Sequence, residues 1–219
     1  MIASYRNQLL HYLIRPAILA YILNKHSNGE EKVTFTRDSC AEDFSFLSKL
    51  LCKDFIFVPG KTDRDLDEAI QFYTAIGVLS KDNSKYTVES HANRVLVFMR
   101  TVFSSFVVGY WLTSQFLISS ETSLVIPNCY TQIQQWIAAH LDTPGVEHEM
   151  LSLNLISHAV HGLEGLGGVI INKNQTPKML DIVPSRLVQL AFYISQFTEV
   201  PKINGNSPLV AFNPLAHKL

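Results

Sequence analysis

The sequence contains only three cysteines in 219 residues, Cys40, Cys52 and Cys129. Their number is odd and they are scattered over segments with helical patterns, so no disulfide framework is predicted. We expect reduced thiols, as in the cytosol or a peroxisome. No zinc-site spacing is present, and the sequence predicts neither a metal nor a cofactor.

An excess of basic charge is also lacking, since 18 Lys and Arg residues are balanced by 19 Asp and Glu residues, for a net charge of -1. Proteins that bind nucleic acid normally carry a basic face, so a nucleic-acid partner is not expected. A secretory signal is not expected either. His11 and Arg15 interrupt the N-terminal apolar run, and no small-residue cleavage site follows it.

Apolar residues are abundant, at 47% against 17% charged residues, enough to fill the core of one domain or of two small ones. The most informative stretch is residues 5–20, YRNQLLHYLIRPAILA. Its apolar residues cover more than one helical stripe, which predicts a helix buried on most sides against protein or lipid. Pro16 lacks an amide hydrogen and clashes with the preceding turn, so we expect the helix to kink or split there.

The candidate site residues are Tyr5, Arg6 and Asn7 at the polar end of this helix, with Arg15 further along. Guanidinium and amide donors beside a helix start could hold a carboxylate or phosphate. The alternative is that they tie this terminus to the rest of the fold by ordinary hydrogen bonds. We predict contact with substrate or with another domain, and no catalytic role.

A helix, a glycine stop and a β-hairpin occur twice along the chain. In the first copy a helix capped by Thr62 or Asp63 ends at Gly77, before a hairpin that turns at Asn83. In the second, a helix over residues 151–163 precedes a hairpin around Asn174. We predict a mainly α-helical bundle with two short β-hairpins in winged-helix-like units, which arose by internal duplication or independently.

The remaining segments predict a loop over residues 24–38, a helix from Ser39, and a buried extended stretch that enters a turn at residues 55–60, FIFVPG. Residues 95–118 could span a bilayer by length, but Arg100 and several polar side chains favour a buried central helix. The expected organisation is one compact domain with parts 1–122 and 123–200 and a tail, 201–219.

Two clusters of polar side chains are further candidates for a site. The acidic residues at the start of the helix after Gly60 suit the helix dipole better than a metal. His158, His161 and Glu164 share a helical face with Ser157 beside them, which could bind a metal or a substrate. No orienting acid or second motif supports that chemistry, so packed or solvated histidines are predicted.

Three segments carry a resemblance to a known family. They are YRNQLL with the Arg-Pro pair that follows it, residues 54–69 (DFIFVPGKTDRDLDEA) and residues 103–118 (FSSFVVGYWLTSQFLI). In order and spacing they resemble the region downstream of the catalytic domain in the glycerol-3-phosphate and dihydroxyacetone-phosphate acyltransferases. The second segment is more similar to the peroxisomal dihydroxyacetone-phosphate branch than to the mitochondrial glycerol-3-phosphate branch.

Members of that family resemble one another in a His-x-x-x-x-Asp motif, whose histidine would act as base on the acceptor hydroxyl. None of the eight histidines here has an aspartate five positions later. The resemblance therefore implies the non-catalytic C-terminal domain of a dihydroxyacetone-phosphate O-acyltransferase-like enzyme of glycerolipid and ether-lipid synthesis. The chain would be a separate fragment or the product of an internal start at Met1.

The partners that the resemblance implies are a catalytic acyltransferase domain, in cis or in trans, acyl-coenzyme A as substrate of the whole enzyme, and a membrane surface. His217, Lys218 and Leu219 resemble the small-Lys-Leu peroxisomal address with His in the first place, so an import receptor is a further expected partner. We expect a peroxisomal, membrane-associated protein, with the mitochondrial outer membrane as the alternative. The alternative functions are the C-terminal domain of a glycerol-3-phosphate O-acyltransferase, and a stand-alone winged-helix-like module that binds a protein.

Overall fold

The computed structural model describes residues 2–27, 33–120 and 123–199, with side chains from Leu10 onward. The elements of these residues follow in the order α1 (Ile2–Ser27), β1 (Thr34–Thr36), α2 (Arg37–Leu50), α3 (Thr62–Ala75), β2 (Leu79–Asp82), β3 (Lys85–Val88), α4 (Asn93–Ser119), β4 (Ser123–Val125), α5 (Asn128–Ala138), α6 (Leu153–Gly165), β5 (Val169–Asn172), β6 (Met179–Ile182) and α7 (Pro184–Ser195). Short 3₁₀ turns precede α4 and α6. The fold is mainly α-helical with two small antiparallel sheets, which confirms the predicted fold class.

Tertiary contacts divide the chain into two compact units, with the boundary between Val107 and Val108. The first unit contains α1 to β3 and the beginning of α4, and the second contains the rest of α4 and everything after it. The boundary therefore lies inside a helix. The division into 1–122, 123–200 and a tail stays a prediction.

In the first unit, α1 packs against α2 and α3 and supplies much of the core. From Ile14 to Leu23 its side chains are almost all buried, with Leu19, Ala20 and Ile22 fully so. The prediction of a helix buried on most sides is thus correct over this length. The three strands are ordered β1-β3-β2, and Thr34 pairs with Thr87 while Leu79 pairs with Val88.

The sequence predicts a kink or a split at Pro16. Helix α1 is continuous through Pro16, so the split does not occur, and the kink stays a prediction. Proline removes one backbone donor and strains the preceding turn, but tertiary packing can offset that local cost. Pro16 is buried, and its carbonyl accepts a 2.8 Å hydrogen bond from the hydroxyl of Tyr73 on α3. Packing against α3 holds the helix together at this point.

The predicted loop over residues 24–38 is wrong at both ends. Helix α1 continues to Ser27, β1 begins at Thr34, and α2 begins at Arg37 rather than at Ser39. The polar residues in this region form a helix cap, since the Thr36 side chain accepts from the Ser39 amide and the Ser39 hydroxyl donates to the Thr36 carbonyl at 2.7 Å. Hydroxyl residues of this kind favour helix starts as much as loops.

The second unit repeats the element order of the first. A helix, a strand, two helices and a hairpin follow one another, and the sheet order β4-β6-β5 matches β1-β3-β2. The predicted hairpins at Asn83 and around Asn174 are β2–β3 and β5–β6. In each unit a strand between the first two helices, which sequence reasoning missed, completes the sheet.

The helix before each hairpin ends in the same way. Gly77 has a φ of +74° and Gly167 a φ of +78°. The amides of Val78 and Gly168 each bond to the carbonyl five residues earlier, on Tyr73 and Leu163, at 2.9 Å. This is a Schellman-type stop, for which glycine is the favoured residue. The GLEGLGG segment at residues 162–168 is therefore a helix end, as predicted.

Helix α4, with the 3₁₀ turn before it, is the one helix among the described residues that is long and apolar enough to cross a membrane, judged by length and composition. In its most apolar window 56% of the residues are buried inside the protein. Core helices of soluble proteins share these properties, so the helix alone does not establish a membrane span.

Candidate functional site

The family-like segments meet in the first unit around the ring of Phe55, which is 3% exposed. Its centroid lies 5.4 Å from that of His11 on α1 and 4.9 Å from that of Phe106 on α4. Phe103 completes the group at 5.6 Å. We call these four residues the Phe55 cluster. The edge-on and tilted ring geometries are those that stabilise aromatic pairs.

The residues after Phe55 do not follow it into the core. Ile56 is 79% exposed and Val58 is 52% exposed, so the prediction of a buried stretch over residues 55–60 is wrong for both. Successive side chains of an extended backbone point to opposite sides, so burial of Phe55 directs Ile56 and Val58 outward. The predicted turn at Pro59 and Gly60 is present, closed by a 3.1 Å hydrogen bond from the Lys61 amide to the Val58 carbonyl.

Tyr12, the neighbour of His11, is 81% exposed. Tyr12 follows His11 on α1, and the ring of His11 contacts that of Phe55, the residue from which the exposed loop begins. We call Tyr12, Ile56 and Val58 the exposed patch.

Arg15 is paired with carboxylates of α3. Its Nε donates to Oδ1 of Asp65 at 2.6 Å, and Oε2 of Glu68 lies 3.6 Å away. Asp65 is 3% exposed, whereas 26% of the Arg15 side chain remains accessible. This ion pair joins the first family-like segment to the second. A contact of Arg15 with substrate or with another domain stays a prediction.

The other acidic residues at the start of α3 are held by Arg37 of α2. Its Nε lies 2.6 Å from Oδ1 of Asp67 and its Nη2 lies 3.1 Å from Oδ1 of Asp63. Hydrogen bonds to Asp67 and then to Asp63 raise the pKa of the Arg37 guanidinium above its ordinary value. Ion pairing therefore accounts for these two carboxylates.

The predicted cap of α3 by Thr62 or Asp63 is wrong. Lys61 occupies the cap position and makes no capping hydrogen bond through its side chain, and Thr62 is already the first residue of α3. The Asp63 carboxylate, the stronger capping candidate, is used by Arg37. Arg37 lies 26 residues earlier in the chain, so no local pattern indicated this pairing.

A third ion pair fixes α1 to α2. Nζ of Lys25 lies 2.7 Å and 2.9 Å from the two carboxylate oxygens of Asp43, which is 5% exposed. Nε2 of His26 lies 3.5 Å from the same carboxylate. Together with the pairs of Arg15 and Arg37, this contact joins α1, α2 and α3 into one frame. Sequence reasoning missed Lys25 and Asp43, because both lie in segments read as ordinary loop or helix.

The histidine cluster of the second unit forms ordinary polar contacts. Nδ1 of His161 lies 2.9 Å from Oε2 of Glu164, and Ser157 is hydrogen-bonded to Tyr130 of α5. Burial raises the pKa of Tyr130, and the bond to Ser157 opposes that rise. Among the described residues no three His, Cys, Asp or Glu side chains are grouped to hold a metal ion.

A groove of about 600 Å³ lies between α1 and the start of α4 in the first unit. Its lining is Ala20, Leu23, Asn24, Ser27, Val33, Val88, Glu89, Ser90, Asn93, Leu96, Val97 and Arg100. The charged residues of the lining are Glu89 and Arg100, whose opposite charges cancel. The lining therefore selects no particular class of ligand.

The side chains of several predicted site residues lie outside the described residues. The backbone of residues 5–7 belongs to α1, but the side chains of Tyr5, Arg6 and Asn7 are outside the described residues. His217, Lys218 and Leu219 lie outside the described residues altogether. Their predicted roles in substrate or domain contact and in targeting stay predictions.

The described residues form two winged-helix-like units with the same order of elements, and ion pairs join α1, α2 and α3 within the first unit. A family model described as the glycerol-3-phosphate acyltransferase C-terminal region matches residues 1–172. The chain belongs to this family.

Curated relatives agree with the family match. The chain is 28% identical over 174 residues to the dihydroxyacetone phosphate acyltransferase of Homo sapiens, covering 77% of this chain and 24% of that protein. It is 31% identical over 121 residues to the Mus musculus protein of the same name, covering 55% and 17%. The Bos taurus protein of that name is 26% identical over 174 residues, covering 77% and 24%. The chain spans about a quarter or less of the length of these relatives.

Proposed function

We propose that this chain is the C-terminal, non-catalytic domain of a dihydroxyacetone-phosphate O-acyltransferase-like enzyme, and that it braces the catalytic domain and contributes to membrane association. The observation that carries the proposal is the convergence of the family-like segments on Phe55 in a frame of ion-paired helices. Such a frame presents a fixed surface to a partner, which suits a bracing role.

In the whole enzyme, an acyl group would pass from coenzyme A to the hydroxyl of dihydroxyacetone phosphate. A base is needed to take the hydroxyl proton, and such a base must lie within hydrogen-bond reach of it. The family places that base in a His-x-x-x-x-Asp motif, which this sequence lacks. The residues of this chain would therefore act by positioning the catalytic domain. The acceptor could equally be glycerol 3-phosphate, since the matching family model is named for that substrate.

A second candidate function is a stand-alone module that binds a protein partner, and the repeated winged-helix-like order favours it. A nucleic-acid partner is not favoured, because the net charge of -1 gives no basic excess. Fold alone does not decide function. The genomic sequence upstream of Met1 separates the two candidates, since only the acyltransferase reading requires a catalytic domain encoded there or in a partner gene.

The bracing role is tested with the purified chain and the human relative truncated before the region that this chain matches. The chain alone should give no turnover of palmitoyl-coenzyme A with dihydroxyacetone phosphate above a heat-killed control. Added to the truncated relative, it should bind and raise activity or thermal stability. Turnover by the chain alone would overturn the non-catalytic assignment, and absence of binding would favour the stand-alone module.

A peroxisomal location is also proposed, supported by the branch that residues 54–69 resemble and by the Lys218-Leu219 ending. A fluorescent fusion ending in NPLAHKL should enter peroxisomes weakly, because imidazole is larger than the side chain that the receptor normally takes at this place. His217→Ser should strengthen import and deletion of Leu219 should abolish it. If this fusion stays diffuse while the His217→Ser variant is imported, the natural tail is not a targeting signal. The mitochondrial outer membrane would then be the alternative location.

A further inference from the structure

We propose that the exposed patch, Tyr12, Ile56 and Val58, is the surface through which the first unit docks onto an anionic lipid bilayer. The inference rests on the membrane association proposed above and assigns it to particular residues. The three side chains are among the most exposed large apolar side chains of the described residues. Apolar side chains exposed together commonly mark an interaction surface.

The patch is presented by a short loop that is fixed at both ends. The amide of Phe55 donates to the Leu51 carbonyl at 3.0 Å, and the amide of Lys61 donates to the Val58 carbonyl at 3.1 Å. Burial of Phe55 against His11 and Phe106 anchors the first end in the core. The aliphatic side chains of Ile56 and Val58 are therefore held outward by a rigid base, and docking would order little that is not already ordered.

The charges around this loop favour a lipid surface. Lys49, Lys53 and Lys61 are all exposed, Asp54 between them is half-buried, and the next carboxylate along the chain, Asp63, is paired with Arg37. The chain as a whole has a net charge of -1, so this basic segment is a local feature. Lysines on both sides of an aliphatic tip can reach phospholipid headgroups while the tip enters the acyl boundary.

A protein partner fits this composition less well. Lysine is depleted in protein–protein interfaces, whereas lysines beside an apolar tip are favoured at an anionic lipid surface. Tyr12 is exposed on α1, one residue after His11, whose ring contacts Phe55 at the base of the loop. The aliphatic tip of Ile56 and Val58, the lysines beside it and Tyr12 match a bilayer surface. Such a surface would carry phosphatidylserine or a similar anionic lipid.

Flotation of the full chain with vesicles tests the proposal, using phosphatidylcholine alone and phosphatidylcholine mixed with phosphatidylserine. The wild-type protein should float with the mixed vesicles. The variant Ile56→Asp/Val58→Asp should bind at least about tenfold more weakly, because two aliphatic side chains no longer enter the lipid. Lys53→Gln/Lys61→Gln should lower binding to mixed vesicles by about fivefold for each lysine and should leave the phosphatidylcholine result unchanged.

The matched control is Leu153→Asp, which changes an apolar side chain of 46% exposure in the second unit. It lies in the first turn of α6, where a carboxylate is favoured, so it should fold and float like the wild type. All variants change exposed side chains, and unchanged melting temperatures verify that each is folded.

A second readout uses Cys52, the only exposed cysteine of the three. An environment-sensitive thiol dye attached there, next to the loop, should shift to the blue on addition of mixed vesicles and should not shift in the Ile56→Asp/Val58→Asp variant. Equal flotation of wild type and this variant would overturn the docking surface and leave membrane association standing. No flotation of any protein would overturn both, while the family assignment and the bracing role would stand. Conversion of a wild-type dimer to a monomer by the variant, without flotation, would assign the patch to self-association instead.

Discussion

The hydroxyl of Tyr73 on α3 donates a 2.8 Å hydrogen bond to the carbonyl of Pro16, at the point where α1 carries its proline. Tyr73 is fully buried, and burial raises the pKa of its phenol well above the ordinary value, so the hydroxyl stays protonated and remains a donor. The hydrogen bond from Tyr73 of α3 therefore stabilises α1 at the point where Pro16 removes a backbone donor.

Removal of this contact should destabilise the protein measurably. Tyr73→Phe keeps the ring and deletes the hydroxyl, and should lower the free energy of unfolding by about 1–1.5 kcal/mol. Urea unfolding followed by circular dichroism measures it. Tyr12→Phe, at an 81% exposed position, is the control and should change stability by less than about 0.5 kcal/mol. Equal effects of the two substitutions would mean that the Tyr73 bond contributes nothing specific.

The Arg15–Asp65 pair should show strong coupling in a double-mutant cycle. Arg15→Met leaves the buried Asp65 without its main partner and should cost about 2–4 kcal/mol, somewhat less than a fully buried pair because Arg15 is partly accessible. Arg15→Met/Asp65→Leu should recover at least about 1 kcal/mol of the summed single losses. Arg64→Met breaks the exposed pair with Glu68 and should be nearly neutral. Additive losses would contradict the coupling.

The two Schellman-type stops should respond alike to alanine. Gly77→Ala and Gly167→Ala force a side chain into a left-handed conformation and should each cost about 1–2 kcal/mol, although nothing lies within 4 Å of either added carbon. Gly165→Ala places the same carbon in equally open space without a positive φ. It should be neutral or slightly stabilising. A cost at one stop only would argue against equivalent units.

Thiol reactivity should separate the three cysteines. Cys52 is exposed, whereas Cys40 and Cys129 are buried, and burial raises the pKa of each buried thiol to about 11. Reactivity requires an accessible thiolate. At pH 8, iodoacetamide should therefore add one group to the native protein and three after denaturation, as counted by mass spectrometry. Rapid modification of two or three thiols in the folded protein would contradict the packing of α2 or α5.

The same thiols predict a loss of stability in alkali. Below pH 9, near the unfolded pKa of 9.0, both states hold the thiol proton and the cysteines contribute no pH dependence. Between pH 9 and 11 the unfolded state loses protons that the folded state keeps, so stability falls by up to about 1.4 kcal/mol per pH unit for each buried thiol. Unfolding curves at pH 8, 9 and 10 measure the slope, which Cys40→Ala should roughly halve.

Much of this fold could be predicted from local patterns. The apolar run of α1, the stop at Gly77 and the turns at Asn83 and Gly60 each depend on residues close in sequence. The strands β1 and β4 could not be found in this way, because each has three residues and exists by pairing with a distant hairpin, as Thr34 does with Thr87.

Local sequence patterns did not indicate the ion pairs or the exposed loop, for a similar reason. Arg37 had no local pattern that linked it to Asp63 and Asp67, which lie one helix later. The sequence FIFV is uniformly apolar, so hydrophobicity alone predicted burial throughout. Only the position of Phe55 among His11, Phe103 and Phe106 determines which side of the extended stretch faces outward.

The boundary between the two units lies between Val107 and Val108, within the uninterrupted helix α4. About four backbone hydrogen bonds of an α-helix cross any one peptide bond, so cutting the chain there would leave that many groups without partners on both fragments. Limited proteolysis has no loop to attack at this point, and neither half can be recombined with a foreign sequence unless the helix is rebuilt.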